Sequence, residues 1–185
     1  MIPVILTDGF EEIEAITITD VLRRADLNAQ LIGLDKISVT GSHGIQIRCD
    51  SLLDDLDLDE VEMLVLPGGE PGTTHLQNSS ALCEIILELH RKQIWLAAIC
   101  AAPRIFDGLG ILQGKRATNH PSQAQRMVQC QYEQSPVVVS QNLITSRGPG
   151  TALPFALTLV EKLRGPELSN TLADNMLVSY QEISI

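Results

Sequence analysis

The stretch Ile94-Trp-Leu-Ala-Ala-Ile-Cys-Ala-Ala-Pro103 joins an apolar run to a single thiol and then to a proline. The apolar run over 94–99 predicts a buried strand, and Pro103 suits the first turn of a helix, where no backbone N–H bond is lost. Small residues around Cys100 favour a sharp strand-to-helix turn, the nucleophile elbow. A helix N-terminus below the thiol is expected to lower its pKa. A buried cysteine that only fills space fits the same stretch, so other residues must decide.

The remainder of the chain alternates strand and helix patterns, which predicts an α/β domain with a mainly parallel sheet covered on both faces. Predicted strands cover 2–7, 29–34, 37–40, 45–48, 63–67, 94–99, 116–118, 137–140 and 143–146, with a hairpin within 37–48. Predicted helices cover 11–25, 80–92, 101–107, 122–128 and 151–164. A chain of 185 residues that is 44% hydrophobic suits one domain over 1–185.

Charge and cysteine usage limit the partners and the compartment. A net charge of −10 argues against a nucleic acid partner, because binding to the phosphate backbone requires clustered lysine and arginine residues. The four cysteines form no Cys-x-x-Cys pair, which argues against a zinc site and against a disulfide scaffold. No apolar stretch approaches the roughly 18 residues that span a bilayer, and residues 1–7 lack a basic signal region. We therefore expect a cytoplasmic protein that has no membrane partner.

Five short motifs follow predicted strands, at the points where the strands end. They are Asp8-Gly-Phe10, Pro67-Gly-Gly69, Cys100, Asn119-His-Pro121 and Arg147-Gly-Pro-Gly150. Ligands of open parallel sheets bind beyond the carboxyl ends of the strands. The sequence therefore predicts that all five motifs line one crevice.

Glu14 is the first candidate to share chemistry with the thiol. It lies on the same helical face as Ile18, Val21 and Ala25, which places a carboxyl group on or beside the buried stripe. An inward-facing carboxyl has a raised pKa and can hold or pass a proton beside Cys100. A glutamate at the edge of the stripe that reaches solvent fits the pattern equally well.

Backbone donors and one histidine complete the candidate site. Gly68 and Gly69 allow a backbone N–H to point into the crevice and to form an oxyanion hole with the N–H of Ala101. The only histidine in a turn between a predicted strand and a predicted helix is His120, so it is the candidate base or orienting group. The glycines match neither phosphate-binding pattern, and the sequence predicts no cofactor and no metal site.

The motifs together resemble the ThiJ/PfpI superfamily and, within it, the branch of the parkinsonism-associated protein deglycase and its bacterial relatives. The similarity runs from about Pro3 to Leu177 and depends on the order of five segments. They are Asp8-Gly-Phe-Glu-Glu-Ile-Glu14, Leu66-Pro-Gly-Gly69, Ala98-Ile-Cys-Ala-Ala-Pro103, Asn119-His-Pro121 and Thr145-Ser-Arg-Gly-Pro-Gly-Thr151.

The resemblance implies a flavodoxin-like fold, related to class I glutamine amidotransferases: a three-layer sandwich, assembled as a homodimer with the site near the interface. It implies that Cys100 is the nucleophile, that Glu14 is a protonated glutamate bonded to the thiol, and that His120 is the nearby histidine. The expected oxyanion- and substrate-binding residues are Gly68, Gly69, Ala101, Arg24 and Pro149. The partner subunit usually contributes the arginine equivalent to Arg24, and Cys49 matches a cysteine at the periphery of the interface.

Three departures from the family pattern bear on function. Ala101 stands where the peptidase-like branch has a histidine, which disfavours an amidase or peptidase. Glu70 stands where relatives often have asparagine, and His43 where some have an interfacial arginine. The resemblance then favours a cofactor-independent enzyme of the glyoxalase III or deglycase type, which acts on 2-oxoaldehydes or on glycated amines and thiols. The alternative is an oxidative-stress sensor or redox-regulated chaperone that uses oxidation of Cys100.

Overall fold

Seven strands form the central sheet of the protein, whose computed structural model describes residues 1–178. The strands of the chain are β1 (Ile2–Leu6), β2 (Ala29–Gly33), β3 (Ser38–Thr40), β4 (Gln46–Arg48), β5 (Ser51–Leu52), β6 (Met63–Leu66), β7 (Trp95–Ile99), β8 (Arg116–Ala117), β9 (Gln131–Tyr132), β10 (Val137–Ser140) and β11 (Leu143–Ser146). The helices are α1 (Glu12–Arg24), α2 (Gly72–Asn78), α3 (Ser80–Arg91), α4 (Pro103–Gly108), α5 (Ala152–Arg164) and α6 (Pro166–Asn175). Residues 179–185 of the predicted domain lie outside the described residues.

The sheet has the strand order β10-β11-β7-β6-β1-β2-β5. All neighbours are parallel except β10 and β11, which pair antiparallel. The strands β3 and β4 form the predicted hairpin beside the sheet. Parallel pairing brings the carboxyl ends of β1, β6, β7 and β11 to one edge, where open α/β sheets bind ligands.

Both faces of the sheet are covered by helices. Alternate residues of β7 enter two separate apolar cores: Ala97 and Ile99 join α1 and α5, whereas Leu96 and Ala98 join α3 and α4. A strand that is buried on both faces needs a continuous apolar run, which is the pattern that identified this segment. The three layers confirm the predicted flavodoxin-like α/β fold with its mainly parallel sheet.

Several helices differ from their predicted bounds. The predicted helix over 122–128 is instead a 3-10 helix, Pro121–Arg126, in which the His120 ring accepts the N–H of Ser122 as a cap. The helix after Cys100 begins at Pro103 because residues 100–102 form the turn. The helices α2 and α6 were not predicted, since they begin at glycine and proline, residues that usually mark loops. Within residues 1–178, no helix is long and apolar enough to cross a membrane.

Candidate active site

Cys100 occupies a strained turn at the carboxyl end of β7. Its φ of +64° lies in the left-handed region, which costs a non-glycine residue about 1 kcal/mol or more. The Cys100 N–H donates to the Ser146 carbonyl at 3.0 Å, and the Cys100 carbonyl accepts the His120 N–H at 2.8 Å. Neighbouring strand ends on both sides therefore hold the backbone in a conformation that it would not adopt alone. This geometry is the nucleophile elbow.

Gly68 and Gly69 bring the end of β6 into contact with the elbow. A Cβ at Gly68 would lie 2.7 Å from the Cys100 Cβ and 3.0 Å from the Ala101 nitrogen, so this approach requires glycine. Gly69 has a φ of +93°, a conformation that glycine adopts freely. The N–H groups of Gly69 and Ala101 lie near enough to the Cys100 sulfur to work against a rise in its pKa. The cavity therefore has two backbone donors beside the thiol.

Glu14 lies under the thiol and is completely buried, with 0% of its surface exposed. Its Oε2 atom accepts the Gly68 N–H at 2.7 Å. Its Oε1 atom is buried and has no hydrogen-bond partner by strict geometry among residues 1–178. Burial raises the pKa of Glu14 to about 7, against the opposing effect of the Gly68 N–H and with help from the charge of Glu11. The alternative of a solvent-reaching glutamate is wrong, and the carboxyl holds its proton up to neutral pH.

The pKa of Cys100 is raised, contrary to the expected lowering by the helix start. Burial is the largest cause, followed by the negative charge of Glu14 and by a hydrogen bond with its carboxyl group. The Glu14 carboxyl and the Cys100 thiol lie so close that ionising both at once is energetically unfavourable. When Glu14 holds the proton, its charge is absent and its O–H becomes a donor that favours the thiolate. Both groups therefore hold a proton in acid, and the Glu14 proton is the first to leave as pH rises through about 7.

His120 borders the cavity that opens above Cys100. This cavity of about 180 Å³ is lined by Gly69, Glu70, Cys100, Ala101, His120, Ser122 and Gln123. The Nδ1 atom of His120 accepts the Ser122 N–H at 3.3 Å and lies 2.8 Å from the Ser122 Oγ. Because Nδ1 accepts from the backbone, the neutral ring carries its proton on Nε2. The thiol, the histidine and both backbone donors thus share one small space.

Three predicted binding residues do not line this cavity. The Gly68 N–H donates to Glu14 and is not one of the two donors beside the thiol. Pro149 lines a neighbouring cavity of about 310 Å³ that also contacts His120 and Arg147. Arg24 lies near the end of α1, where its Nε donates to Asp20 at 2.7 Å, and it lines neither cavity. A role for Arg24 through a partner subunit stays a prediction. Cys49 is buried within its own chain, and burial raises its pKa to about 11.

The expectation that all five motifs line one crevice is wrong for the first motif. Asp8 binds the Lys36 side chain and the Thr40 N–H, which holds the β3–β4 hairpin instead of facing the thiol. Gly9 and Phe10 support the site from behind, since a Cβ at Gly69 would collide with their backbone.

Sequence reasoning missed two polar clusters. The first joins Arg104 to Glu70, whose side chain borders the Cys100 cavity. Its only signal in the sequence is the departure at Glu70. In the second, Glu11, Glu12 and His43 offer ligand atoms within 4.8 Å of one another, an arrangement that is able to hold a metal ion. Both oxygens of Glu12 already accept hydrogen bonds there, so the cluster is explained without a metal.

Comparison with known proteins extends over most of the chain. Protein dj-1beta of Drosophila melanogaster is 38% identical over 180 residues, 96% of each protein. The crystal structure of Drosophila melanogaster DJ-1beta superposes with a TM-score of 0.93 at 38% identity and covers 97% of this chain and 98% of that one. Glutathione-independent glyoxalase DJR-1.2 of Caenorhabditis elegans is 38% identical over 168 residues, 88% of this chain and 87% of that protein.

Some relatives are longer than this chain. Protein DJ-1 homolog B of Arabidopsis thaliana is 37% identical over 175 residues, which are 94% of this chain and 40% of that protein. Residues 1–162 match the DJ-1/PfpI family as a whole. The match over residues 1–162, the sequence identity to relatives and the shared fold lead to one conclusion: this chain belongs to the DJ-1/PfpI family.

Proposed function

We propose that the protein converts 2-oxoaldehydes such as methylglyoxal to 2-hydroxy acids, with Cys100 as the nucleophile and without a cofactor. The observation that carries the proposal is the buried Glu14 carboxyl beside the thiol, whose pKa is raised by burial to about 7. Such a group takes up and returns a proton near neutral pH, as the reaction requires. The name of the Caenorhabditis elegans relative supports the same chemistry.

The first step forms a carbon–sulfur bond. Ionised Glu14 takes the proton of the Cys100 thiol, the sulfur adds to the aldehyde carbon, and the aldehyde oxygen becomes an oxyanion that the N–H groups of Gly69 and Ala101 stabilise. Glu14 gives that proton to the oxyanion and is a carboxylate again. It then takes the proton from the same carbon and returns it to the neighbouring ketone carbon, while the hydroxyl proton passes from the first oxygen to the ketone oxygen. The product of this step is a 2-hydroxy thioester of Cys100.

Hydrolysis completes the reaction. His120 activates a water molecule that attacks the thioester, and the carbon–sulfur bond breaks to release lactate and the thiol. The sum is methylglyoxal plus water giving lactic acid, so the reaction needs no external oxidant or reductant. Early adducts of methylglyoxal on amines and thiols enter the same scheme after they release the aldehyde or expose its carbonyl groups to Cys100.

The direct test gives purified protein methylglyoxal in the absence of glutathione and measures lactate. The wild-type protein is expected to form lactate, and Cys100→Ala is expected to form none above the buffer rate. Cys83→Ala is the matched control, because this partly exposed thiol on α3 lies outside the cavity. Lactate formation by Cys100→Ala would reject the nucleophile. Adduct repair is separated by adding a preformed amine adduct while an independent scavenger removes free methylglyoxal.

A second candidate function is an oxidation sensor, favoured by the partial exposure of Cys100 next to the carboxyl of Glu14. One peroxide converts the thiolate to sulfenic acid and releases hydroxide, and a second converts sulfenic to sulfinic acid and releases water. Protonated Glu14 would stabilise the sulfinate as a hydrogen-bond donor. Mass spectrometry after mild peroxide treatment is expected to show two added oxygens at Cys100 before Cys83 or Cys130. Turnover of methylglyoxal without selective oxidation of Cys100 would exclude this role.

A further inference from the structure

Arg104 is a buried cation beside the Cys100 cavity, and only 3% of its side chain is exposed. It lies on α4, four positions after the thiol. Its guanidinium group donates to four side chains: Gln77 Oε1 at 3.0 Å, Gln123 Oε1 at 3.1 Å, Thr74 Oγ1 at 2.9 Å and the Glu70 carboxylate. A planar fork of this kind fixes the groups that it binds. Arg104 therefore holds α2, the turn at Glu70 and the Pro121–Arg126 segment together.

Glu70 is the anionic member of this pair and lies at the surface of the cavity, with 44% of its side chain exposed. Burial works to raise its pKa, but hydrogen bonds from Arg104 and Thr74 outweigh burial and lower the pKa. The carboxylate is thus ionised at neutral pH. Its Oε2 atom accepts the Thr74 hydroxyl at 2.8 Å, which fixes the orientation of the group.

The two charges of the Glu70–Arg104 pair are not equivalent in position relative to the cavity above the thiol. Glu70 lines the cavity and 44% of its side chain is exposed, whereas Arg104 does not line the cavity and only 3% of its side chain is exposed. A ligand above Cys100 therefore meets the negative charge at shorter range than the positive charge, although the pair is neutral in sum. The other ionisable groups near such a ligand are Glu14 under the thiol, His120 on the wall, and Arg147, which lines only the neighbouring cavity. Among residues 1–178, no arginine or lysine lines the Cys100 cavity itself to oppose Glu70.

We propose that the Glu70–Arg104 pair sets the charge selectivity of the Cys100 cavity, so that neutral and cationic carbonyl compounds are favoured over those that carry a carboxylate. This inference rests on the proposed function for its substrate class. Its electrostatic part concerns the thiol alone and is testable without turnover. Adducts of 2-oxoaldehydes on amines are cationic or neutral, and they belong to the favoured group.

Alkylation of Cys100 measures this selectivity directly. Iodoacetamide and iodoacetate undergo the same reaction, in which the carbon–sulfur bond forms and iodide leaves, but only iodoacetate is an anion. The ratio of their rate constants at one pH cancels the thiolate fraction and reports the local potential. Mass spectrometry of the peptide that contains Cys100 measures each rate constant.

The iodoacetate-to-iodoacetamide ratio is expected to be lowest in Arg104→Met and higher in wild type. It is expected to be higher again in the variant that carries both substitutions, and highest in Glu70→Gln. Glu70→Gln leaves the buried guanidinium uncompensated and is expected to raise the ratio about tenfold. Glu133→Gln is the control, because this glutamate pairs with Arg116 outside the cavity, and its ratio is expected to equal that of wild type. Circular dichroism confirms that each variant is folded.

An unchanged ratio in folded Glu70→Gln, or an equal rise in Glu133→Gln, would overturn the inference. If the variants do not fold, the wild-type ratio at Cys100 is compared with that of 2-mercaptoethanol, a thiol without a carboxylate. A lower ratio at Cys100 supports the proposal, and an equal or higher ratio overturns it.

Turnover supplies the second arm of the experiment. Methylglyoxal is neutral, whereas 4,5-dioxovalerate is a 2-oxoaldehyde that carries a carboxylate, and its product is 2-hydroxyglutarate. Glu70→Gln is expected to shift the ratio of kcat/KM values toward 4,5-dioxovalerate by about tenfold. A shifted alkylation ratio without turnover of either aldehyde rejects the proposed function and supports the charge inference. Turnover of the aldehydes with an unchanged alkylation ratio in Glu70→Gln supports the proposed function and rejects the charge inference.

Discussion

Glu12 and Glu14 stand two positions apart in the first turn of α1, and both side chains are buried. Glu12 faces the β3–β4 hairpin and accepts the N–H groups of His43 at 2.7 Å and Ile45 at 3.4 Å, with the His43 ring 2.9 Å away. Burial works to raise the pKa of Glu12, but the hydrogen bonds from His43 outweigh it and lower the pKa to about 2. Glu14, with a single backbone donor from the β6 end, has its pKa raised to about 7 by burial.

The difference shows that burial keeps a carboxyl protonated only where hydrogen-bond donors to it do not outweigh burial. The first turn of α1 therefore carries two different carboxyl groups. Glu12 is ionised and binds the β3–β4 hairpin, an arrangement that we call the Glu12 clamp, whereas Glu14 is protonated up to about neutral pH beside the thiol. Substitutions at the two positions should therefore have opposite consequences for activity and for stability.

The largest expected effect is on catalysis. Glu14→Gln keeps the shape of the side chain but removes its ability to exchange a proton, and kcat/KM for methylglyoxal is expected to fall about 10³-fold. Glu12→Gln leaves the thiol side intact and is expected to change kcat/KM by less than about fivefold, because it acts only through the packing of α1. Lactate formation at several methylglyoxal concentrations measures both values. Equal losses in the two variants would contradict the division of roles.

The pH dependence of stability should separate the carboxyls next. The folded pKa of Glu14 is above its unfolded value of 4.5, so the folded state binds the extra proton. Its contribution to stability is complete below pH 4.5 and is lost as pH rises through about 7. The free energy of unfolding of wild type, relative to Glu14→Gln, is expected to fall by about 3 kcal/mol across this window. Urea denaturation at each pH measures it, and a constant difference would show that the pKa of Glu14 is the same in the folded and the unfolded state.

Glu12 has the opposite sign. Its folded pKa is below the unfolded value of 4.5, so its stabilisation is present above pH 4.5 and is lost as pH falls toward 2. Glu12→Gln is expected to lower the free energy of unfolding by about 2 kcal/mol at neutral pH, because its charge-assisted bonds to the hairpin weaken. The loss should shrink in acid. Denaturation at pH 7 and pH 3 compares the two conditions, and a loss that grows in acid would contradict the clamp.

His43→Ala should give the smallest effect. The His43 ring is 71% exposed, and its backbone N–H to Glu12 remains in the variant. The hydrogen bond with Glu12 raises the pKa of His43, so the contribution of the ring is present below pH 6.5 and is lost as pH rises through the raised value. The Tm of the variant is expected to be lower than that of wild type at pH 6 and equal to it at pH 9. A larger Tm loss than that of Glu12→Gln would assign the clamp to the histidine.

Much of the fold could be predicted from local patterns. The strands β10 and β11 match their predicted bounds, and β6 and β7 differ by one residue, because short apolar runs rich in β-branched residues and leucine identify strands. Helix α2 was not predictable in this way, since its glycine, threonine and asparagine residues are weak helix formers that tertiary packing holds in place.

The position of a site residue was predictable only where the periodicity of a single helix or strand determines which way its side chain faces. Helical periodicity placed Glu14 on or beside the buried stripe of α1, and the packing of β6 against that helix decided between the buried and the solvent-reaching position. The raised pKa of Cys100 depends on a group 86 positions earlier in the chain, and the Glu70–Arg104 pair joins residues 34 positions apart. Such contacts form between elements, so spacing along one element does not reveal them.

The positive φ of Cys100 also bears on how this position evolves. Glycine adopts the same backbone angle without strain, so cysteine costs the folded chain about 1 kcal/mol at a site that packing alone would not assign to it. Mutation without selection for chemistry would drift toward the more stable residue. Retention of cysteine among homologues would thus mark those lineages that still use the thiol, and glycine at this position would mark those that have abandoned it.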